Sequence, residues 1–111
     1  MNKEQADTAI SQLTMNTRNP YGALKLMVGA ENFVYGKDGV SFRFKMCRKA
    51  QFCRVELDEG AGLYNLVFIR LRNYELTETG RFDGLYFDQL KDTFERFTGL
   101  CLTVPNVVFS H

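Results

Sequence analysis

A chain of 111 residues with 45% apolar content, ten Phe and five Tyr has enough apolar mass for one core but not for two. Its formal charge of +1 excludes, by bulk electrostatics, a strongly basic nucleic-acid binder and an acidic DNA mimic alike, so an electrostatic partner has to meet a local patch. No apolar run approaches the roughly 20 residues that span a bilayer, and the polar opening Met1-Asn2-Lys3-Glu4-Gln5 lacks the apolar centre of a secretory signal, which points to a cytoplasmic setting with no membrane partner.

The chain opens with Ala6, Ala9, Ile10 and Leu13 at helical spacing, which predicts a helix over residues 3–13. Asn19-Pro20 then marks a second helix over residues 20–28, with Asn as the cap, Pro in the first turn and Gly29 as the stop; one helix broken at Pro20 is the alternative. Residues 32–35 are β-prone, and Gly36-Lys37-Asp38-Gly39 reads as a hairpin loop. Three strands are expected next, over residues 40–47, 52–58 and 63–72. The third is apolar on both sides, with Leu63, Val67, Ile69 and Leu71 on one and Tyr64, Leu66 and Phe68 on the other. Such a strand is covered on both faces for part of its length, or it contacts a partner.

A weaker edge strand is predicted over residues 74–82, followed by a helix capped by Asp83, with Phe87, Leu90, Phe94 and Phe97 as its apolar stripe and Gly99 as its stop. The organisation is therefore one α+β domain. It comprises a helical segment (residues 1–30), an antiparallel meander of four to five strands (32–82), a C-terminal helix (83–99) and a tail or edge strand (100–111). Phe42, Phe44, Val55, Val67 and Ile69 are the expected apolar sheet face beneath the last helix.

A search for chemistry returns little, and the reading is of a chain that is no enzyme and has no cofactor. His111 is the one histidine, so Cys–His and Ser–His pairs have a single terminal candidate. Cys47, Cys53 and Cys101 lack a close pair and read as reduced thiols; with His111 they match no zinc spacing. Glu56, Asp58 and Glu59 are close enough in sequence to hold a divalent cation, although a solvated strand end is the plainer account, so no metal site is assigned.

Charge is distributed unevenly. Lys37, Arg43, Lys45, Arg48, Lys49 and Arg54 fall in one stretch against Asp38 alone, whereas six acidic residues lie between Glu75 and Glu95. Strand alternation predicts that Arg43, Lys45, Phe52 and Arg54 share a face, extended by Tyr64, Phe68, Arg70 and Arg72. Aromatics among cations on a sheet suit a protein partner or single-stranded nucleic acid, and a merely solvated face is the plain reading. The candidate binding residues are Arg43, Lys45, Arg48, Lys49, Phe52, Arg54, Tyr64, Arg70 and Arg72. An open sheet edge and exposed aromatics also allow a two-fold homodimer.

Several short blocks carry a resemblance. Met27-Val28-Gly29-Ala30-Glu31-Asn32-Phe33-Val34-Tyr35, Val40-Ser41-Phe42-Arg43-Phe44-Lys45, Arg48-Lys49-Ala50, Arg54-Val55-Glu56-Leu57, Leu63-Tyr64-Asn65-Leu66-Val67-Phe68 and Phe94-Glu95-Arg96-Phe97-Thr98-Gly99-Leu100 together resemble a group of small proteins of phages and mobile elements, over roughly residues 20–102. The resemblance implies an accessory protein in the host cytosol that binds a host protein or complex without turnover, such as an anti-defence, anti-CRISPR-like inhibitor. It implies no catalytic residue.

Overall fold

A computed structural model describes residues 1–104 and shows an α+β fold, with a five-stranded antiparallel meander covered on one face by helices. Helix α1 spans Lys3–Thr14. It starts where the Asn2 side chain accepts from the Gln5 backbone N–H (2.8 Å) and the Gln5 side chain accepts from the Asn2 N–H (3.1 Å), a reciprocal cap. Ala6, Ala9, Ile10 and Leu13 are buried, as their spacing predicts. Helix α2 spans Pro20–Val28, with Asn19 accepting from Gly22 N–H (3.0 Å) and Gly29 leaving the helix at φ 65°. The two helices are separate because Asn16 Oδ1 accepts from the backbone N–H groups of Arg18 and Asn19 (both 3.0 Å), which turns the chain between them.

The strands are β1 Glu31–Tyr35, β2 Gly39–Arg43, β3 Phe52–Asp58, β4 Leu63–Arg72 and β5 Glu75–Leu85, and they lie in the sheet in chain order. Two boundaries differ from expectation. The strand predicted to run to residue 47 ends at Arg43, because Met46 adopts φ 71° and Lys45 N–H donates to Val28 O at the end of α2 (2.8 Å), which pulls the chain out of the sheet. Asp83 is not a helix cap. It lies inside β5, held by Arg81 Nη1 (3.2 Å) while Gly84 N–H donates to Asn65 Oδ1 (3.1 Å), so the strand continues to Leu85. The chain then passes through a short 3-10 turn, Phe87–Gln89, into helix α3, Leu90–Thr98, which Gly99 ends at φ 73°. Residues 101–104 form no strand, and the remainder of the predicted tail strand lies outside the described residues.

The register decides which face is the core. Val40 pairs with Val55 and Val55 with Leu66; Phe42 pairs with Cys53 and Cys53 with Phe68; Leu57 pairs with Tyr64. Directly paired residues share a face, so the helix-covered side carries Val40, Phe42, Cys53, Val55, Tyr64, Leu66 and Phe68, all members of one buried cluster with Ile10, Leu13, Leu24, Leu90 and Phe94. Phe42 and Val55 belong to this face as expected. Val67 and Ile69 do not, because Arg54 pairs with Val67 and Phe52 with Ile69, which places them on the opposite side. Phe44 is buried although it lies beyond β2, and its N–H donates to Gln51 O (2.8 Å) to close the loop between β2 and β3. The molecule is only 22 Å thick, room for one helix layer on one sheet and no second cover.

Cys53 is fully buried, and burial pushes its thiol well above the ordinary value of 9.0, with nearby Arg54 opposing only in part. The unfolded chain therefore loses this proton at a pH where the folded chain keeps it, so stability falls as pH rises above about 9. Between about pH 9 and 10 the expected slope is about 1.4 kcal/mol per pH unit in urea titrations, and Cys53→Ala is expected to remove it there; above pH 10, Tyr21 and Tyr64, whose hydroxyls burial also pushes up, add to the loss.

Candidate functional site

Among the predicted binding residues, the register brings Arg43, Phe52 and Arg54 onto one uncovered face, together with Ser41, Glu56, Asn65, Val67, Ile69 and Arg81. Tyr64 is a correction. It is 6% exposed and belongs to the core under α1, because its pairing with Leu57 turns it to the helical side; Phe68 is displaced from the cationic face for the same reason. A sequence without register shows only that β4 is apolar on both sides, and a slip of one residue exchanges the two faces.

The uncovered face has two regions. On one, Arg54 Nε meets Glu56 Oε2 (2.8 Å), and Arg81 bridges Glu56 (3.4 Å), Glu78 (2.9 Å) and Asp83 (3.2 Å). Val67 lies in one rung between Arg54 and Arg81 and is 0% exposed, although it stands on the side of the sheet away from the helices. This region is electrostatically self-satisfied. It also takes Glu56 out of the carboxylate trio considered as a cation site. Glu59 accepts from Gln5 Nε2 (2.8 Å) and Asp58 from Ala61 N–H (3.3 Å), and no cluster of metal-ligating side chains forms among the described residues.

The other region is the end of the sheet where β2 stops, β3 starts and β4 runs on. Arg43 pairs with Phe52 and Phe52 with Ile69, so the 44–51 loop and residues 70–77 flank the same end. Arg43, Lys45, Arg48, Lys49, Arg70 and Arg72 gather there against Glu31 and Glu75, since Glu78 is held by Arg81. Among the described residues, none of these six cations forms an ion pair. Lys49 alone is engaged, donating to Phe97 O at the end of α3 (3.1 Å) with its ammonium 5.3 Å from the Phe97 ring. Arg70 and Arg72 alternate onto the helical side of β4 rather than the Arg43 side, so the cations wrap the sheet end instead of lining one face.

No protein-family model, curated protein or solved structure matches this chain. What its site can do therefore rests on its own geometry.

Beyond Ile69 the β4–β5 hairpin leaves the sheet as a two-stranded arm, since β3 begins at Phe52. Gln51 stands in for the missing strand: its N–H donates to Ile69 O (3.0 Å), and its side-chain oxygen accepts from Leu71 N–H (2.8 Å). The arm exposes Leu71 (48%) and its cross-strand partner Leu76 (66%), with Met46 (69%) in the neighbouring loop. Its tip is Asn73-Tyr74, both at positive φ (52° and 64°), which corrects the expectation that Tyr74 starts a strand. A two-residue loop of this hand matches strand twist and favours Asn-Gly; here a fully exposed Tyr occupies the glycine position. Sequence reasoning missed the arm; Asn73 between two strands of alternating character signals the turn at its tip, while the arm itself follows from where β3 begins.

A bulky residue in the left-handed region is strained. Tyr74→Gly is therefore expected to raise stability by about 1 kcal/mol, measured as a higher urea midpoint at unchanged m. A groove of about 760 Å³ lies elsewhere, between α1 and the turn into α2, and contains none of the predicted residues. No helix among the described residues is long and apolar enough to cross a membrane.

Proposed function

We propose that this chain is a non-catalytic binding module that docks on a partner protein through the sheet end bearing Arg43, Lys45, Arg48, Arg70 and Arg72. The observation that carries this reading is a contrast on one sheet. Arg54 and Arg81 are neutralised by Glu56, Glu78 and Asp83, while the cations at the sheet end have no ion-pair partner among the described residues and share that end with exposed Met46, Leu71 and Leu76. Exposed aliphatic side chains with unpaired arginines at the same end supply the apolar and polar parts of a protein interface.

The resemblance to phage and mobile-element proteins supports the setting of an accessory protein acting on host machinery in the cytosol, in the manner of an anti-defence, anti-CRISPR-like inhibitor. Single-stranded nucleic acid is the second reading, favoured by the same gathering of cations. The arrangement suits it less, because Tyr74 is the one fully exposed aromatic at that end among the described residues, with Phe52 and Phe97 half-buried and Phe44 buried, and base stacking needs a platform. A two-fold homodimer through this end would set like charges against each other.

Leu71→Thr with Leu76→Thr removes the exposed aliphatic pair, keeps strand-forming side chains at both positions and leaves the core untouched, so stability is expected to change by about 1 kcal/mol or less. The pair is expected to abolish recovery of a defined protein from host lysate, and Arg43→Glu with Arg72→Glu to weaken it more at low salt than at high salt. Recovery unchanged by both variants, or tight binding of labelled single strands that falls steeply with salt, would displace the reading.

A further inference from the structure

We infer that the β4–β5 arm is an inserting element, with Tyr74 as the anchor that enters an apolar slot on an acidic protein surface. This rests on the protein-binding reading above and names the partner's chemistry. Three independent features converge on the arm. Its tip carries a wholly exposed aromatic in a backbone conformation suited to glycine, where a stabilising Gly would fit the turn. Strain kept at an exposed position calls for a use of the side chain itself. The side chain leads a support that is otherwise well held: Arg72 pairs with Glu75 and Leu71 with Leu76 up to the loop, and Gln51 satisfies the one backbone donor that β3 fails to reach. A rigid hairpin presents its tip with little ordering to lose on binding.

Behind the tip, Leu71 and Leu76 are exposed on the side of the ribbon that carries Arg43, while Arg70 and Arg72 stand on its other side, so a surface that receives the tip and both sides of the arm has carboxylates around an apolar recess. A phenol is suited to such a recess, because its ring is buried while its hydroxyl reaches a rim acceptor. The outer edge of β5 within the main sheet is a poor site for strand addition, since β5 carries pairing irregularities opposite Phe68/Ile69 and Tyr64/Leu66, and such bulges turn an edge away from pairing.

The test uses the full chain immobilised against a random displayed peptide library, with a fluorescent oligothymidylate as the nucleic-acid probe. Enriched peptides are expected to combine Asp or Glu with an aromatic or aliphatic residue. Their affinity is expected to fall about ten-fold or more with Tyr74→Gly, although that variant melts at a higher temperature, and likewise with Arg70→Glu plus Arg72→Glu. Thr8→Ala on the helical side is expected to leave affinity unchanged. A turn residue with a purely structural role would not show stability and affinity moving in opposite directions. Enriched peptides indifferent to Tyr74→Gly and to the arginine reversals would overturn the arm as the inserting element but leave protein binding standing. Peptides without acidic residues would overturn the acidic partner. No enriched peptide, with oligothymidylate bound through the same arginines, would overturn both.

Discussion

Phe94→Ala is expected to destabilise the domain by about 3–5 kcal/mol, a substantial part of the roughly 5–15 kcal/mol that a domain holds in total. Phe94 is 0% exposed on α3, and its ring lies 6.4, 5.4 and 5.6 Å from the rings of Phe42, Phe44 and Phe68. It thus joins the helix to β2, to the loop beyond β2 and to β4 at once. Truncation removes the transfer free energy of the ring and leaves a cavity that three neighbouring aromatics cannot close together. Phe94→Leu keeps most of the volume and is expected to lose less. Urea titration should show a lower midpoint at similar m. A loss below about 1 kcal/mol would mean that α3 does not dock on the sheet in this way, and the assignment of a covered and an uncovered face would fall with it.

Gly39→Ala is the second large effect, and it acts on the backbone. A Cβ at Gly39 would sit 2.4 Å from Val55 O, 3.1 Å from Val55 C and 3.2 Å from Glu56 Cα, all main-chain atoms of the neighbouring strand. No side chain can swing aside to relieve this, so β2 and β3 have to separate where Gly39 pairs with Glu56. A cost of about 1–3 kcal/mol is expected, at the upper end because the obstruction is backbone. Gly36→Ala, three residues earlier in the same hairpin loop, meets open space and is expected to change stability by less than about 0.5 kcal/mol. Equal effects at the two positions would contradict the β2–β3 register. That register also places Arg43 beside Phe52, so the same pair of variants tests the geometry on which the binding face rests.

The candidate site was legible in part. Arg43, Lys45, Arg48 and Lys49 stood out because they are neighbours in the chain, and a short connection keeps neighbours together at one sheet end whatever the register. Arg70 and Arg72 join them only through the antiparallel return of β4. Arg54 was grouped with them by alternation, yet Glu56 (two residues on) and Arg81 (on β5) draw it into a closed network that chain position alone does not show. Tyr64 and Phe68 were placed with the cations because an apolar residue on either side of β4 suits either face.

Local chemistry in the chain settled the elements themselves. Asn19-Pro20 and Gly29 bound one helix, Gly99 ends another, and helical spacing marks Ala6, Ala9, Ile10 and Leu13 for burial, because capping and periodicity act over a few residues and need no partner. Tertiary structure alone decided which side of β4 faces the helices, since a slip of one residue inverts every side chain and only the pairing Cys53–Phe68 and Val55–Leu66 selects between two apolar faces. It also decided that β4 and β5 outrun β3, and so that Tyr74 stands at the tip of an arm rather than within a sheet. The length of an unaccompanied hairpin depends on where a third strand begins, and no residue of the hairpin records that.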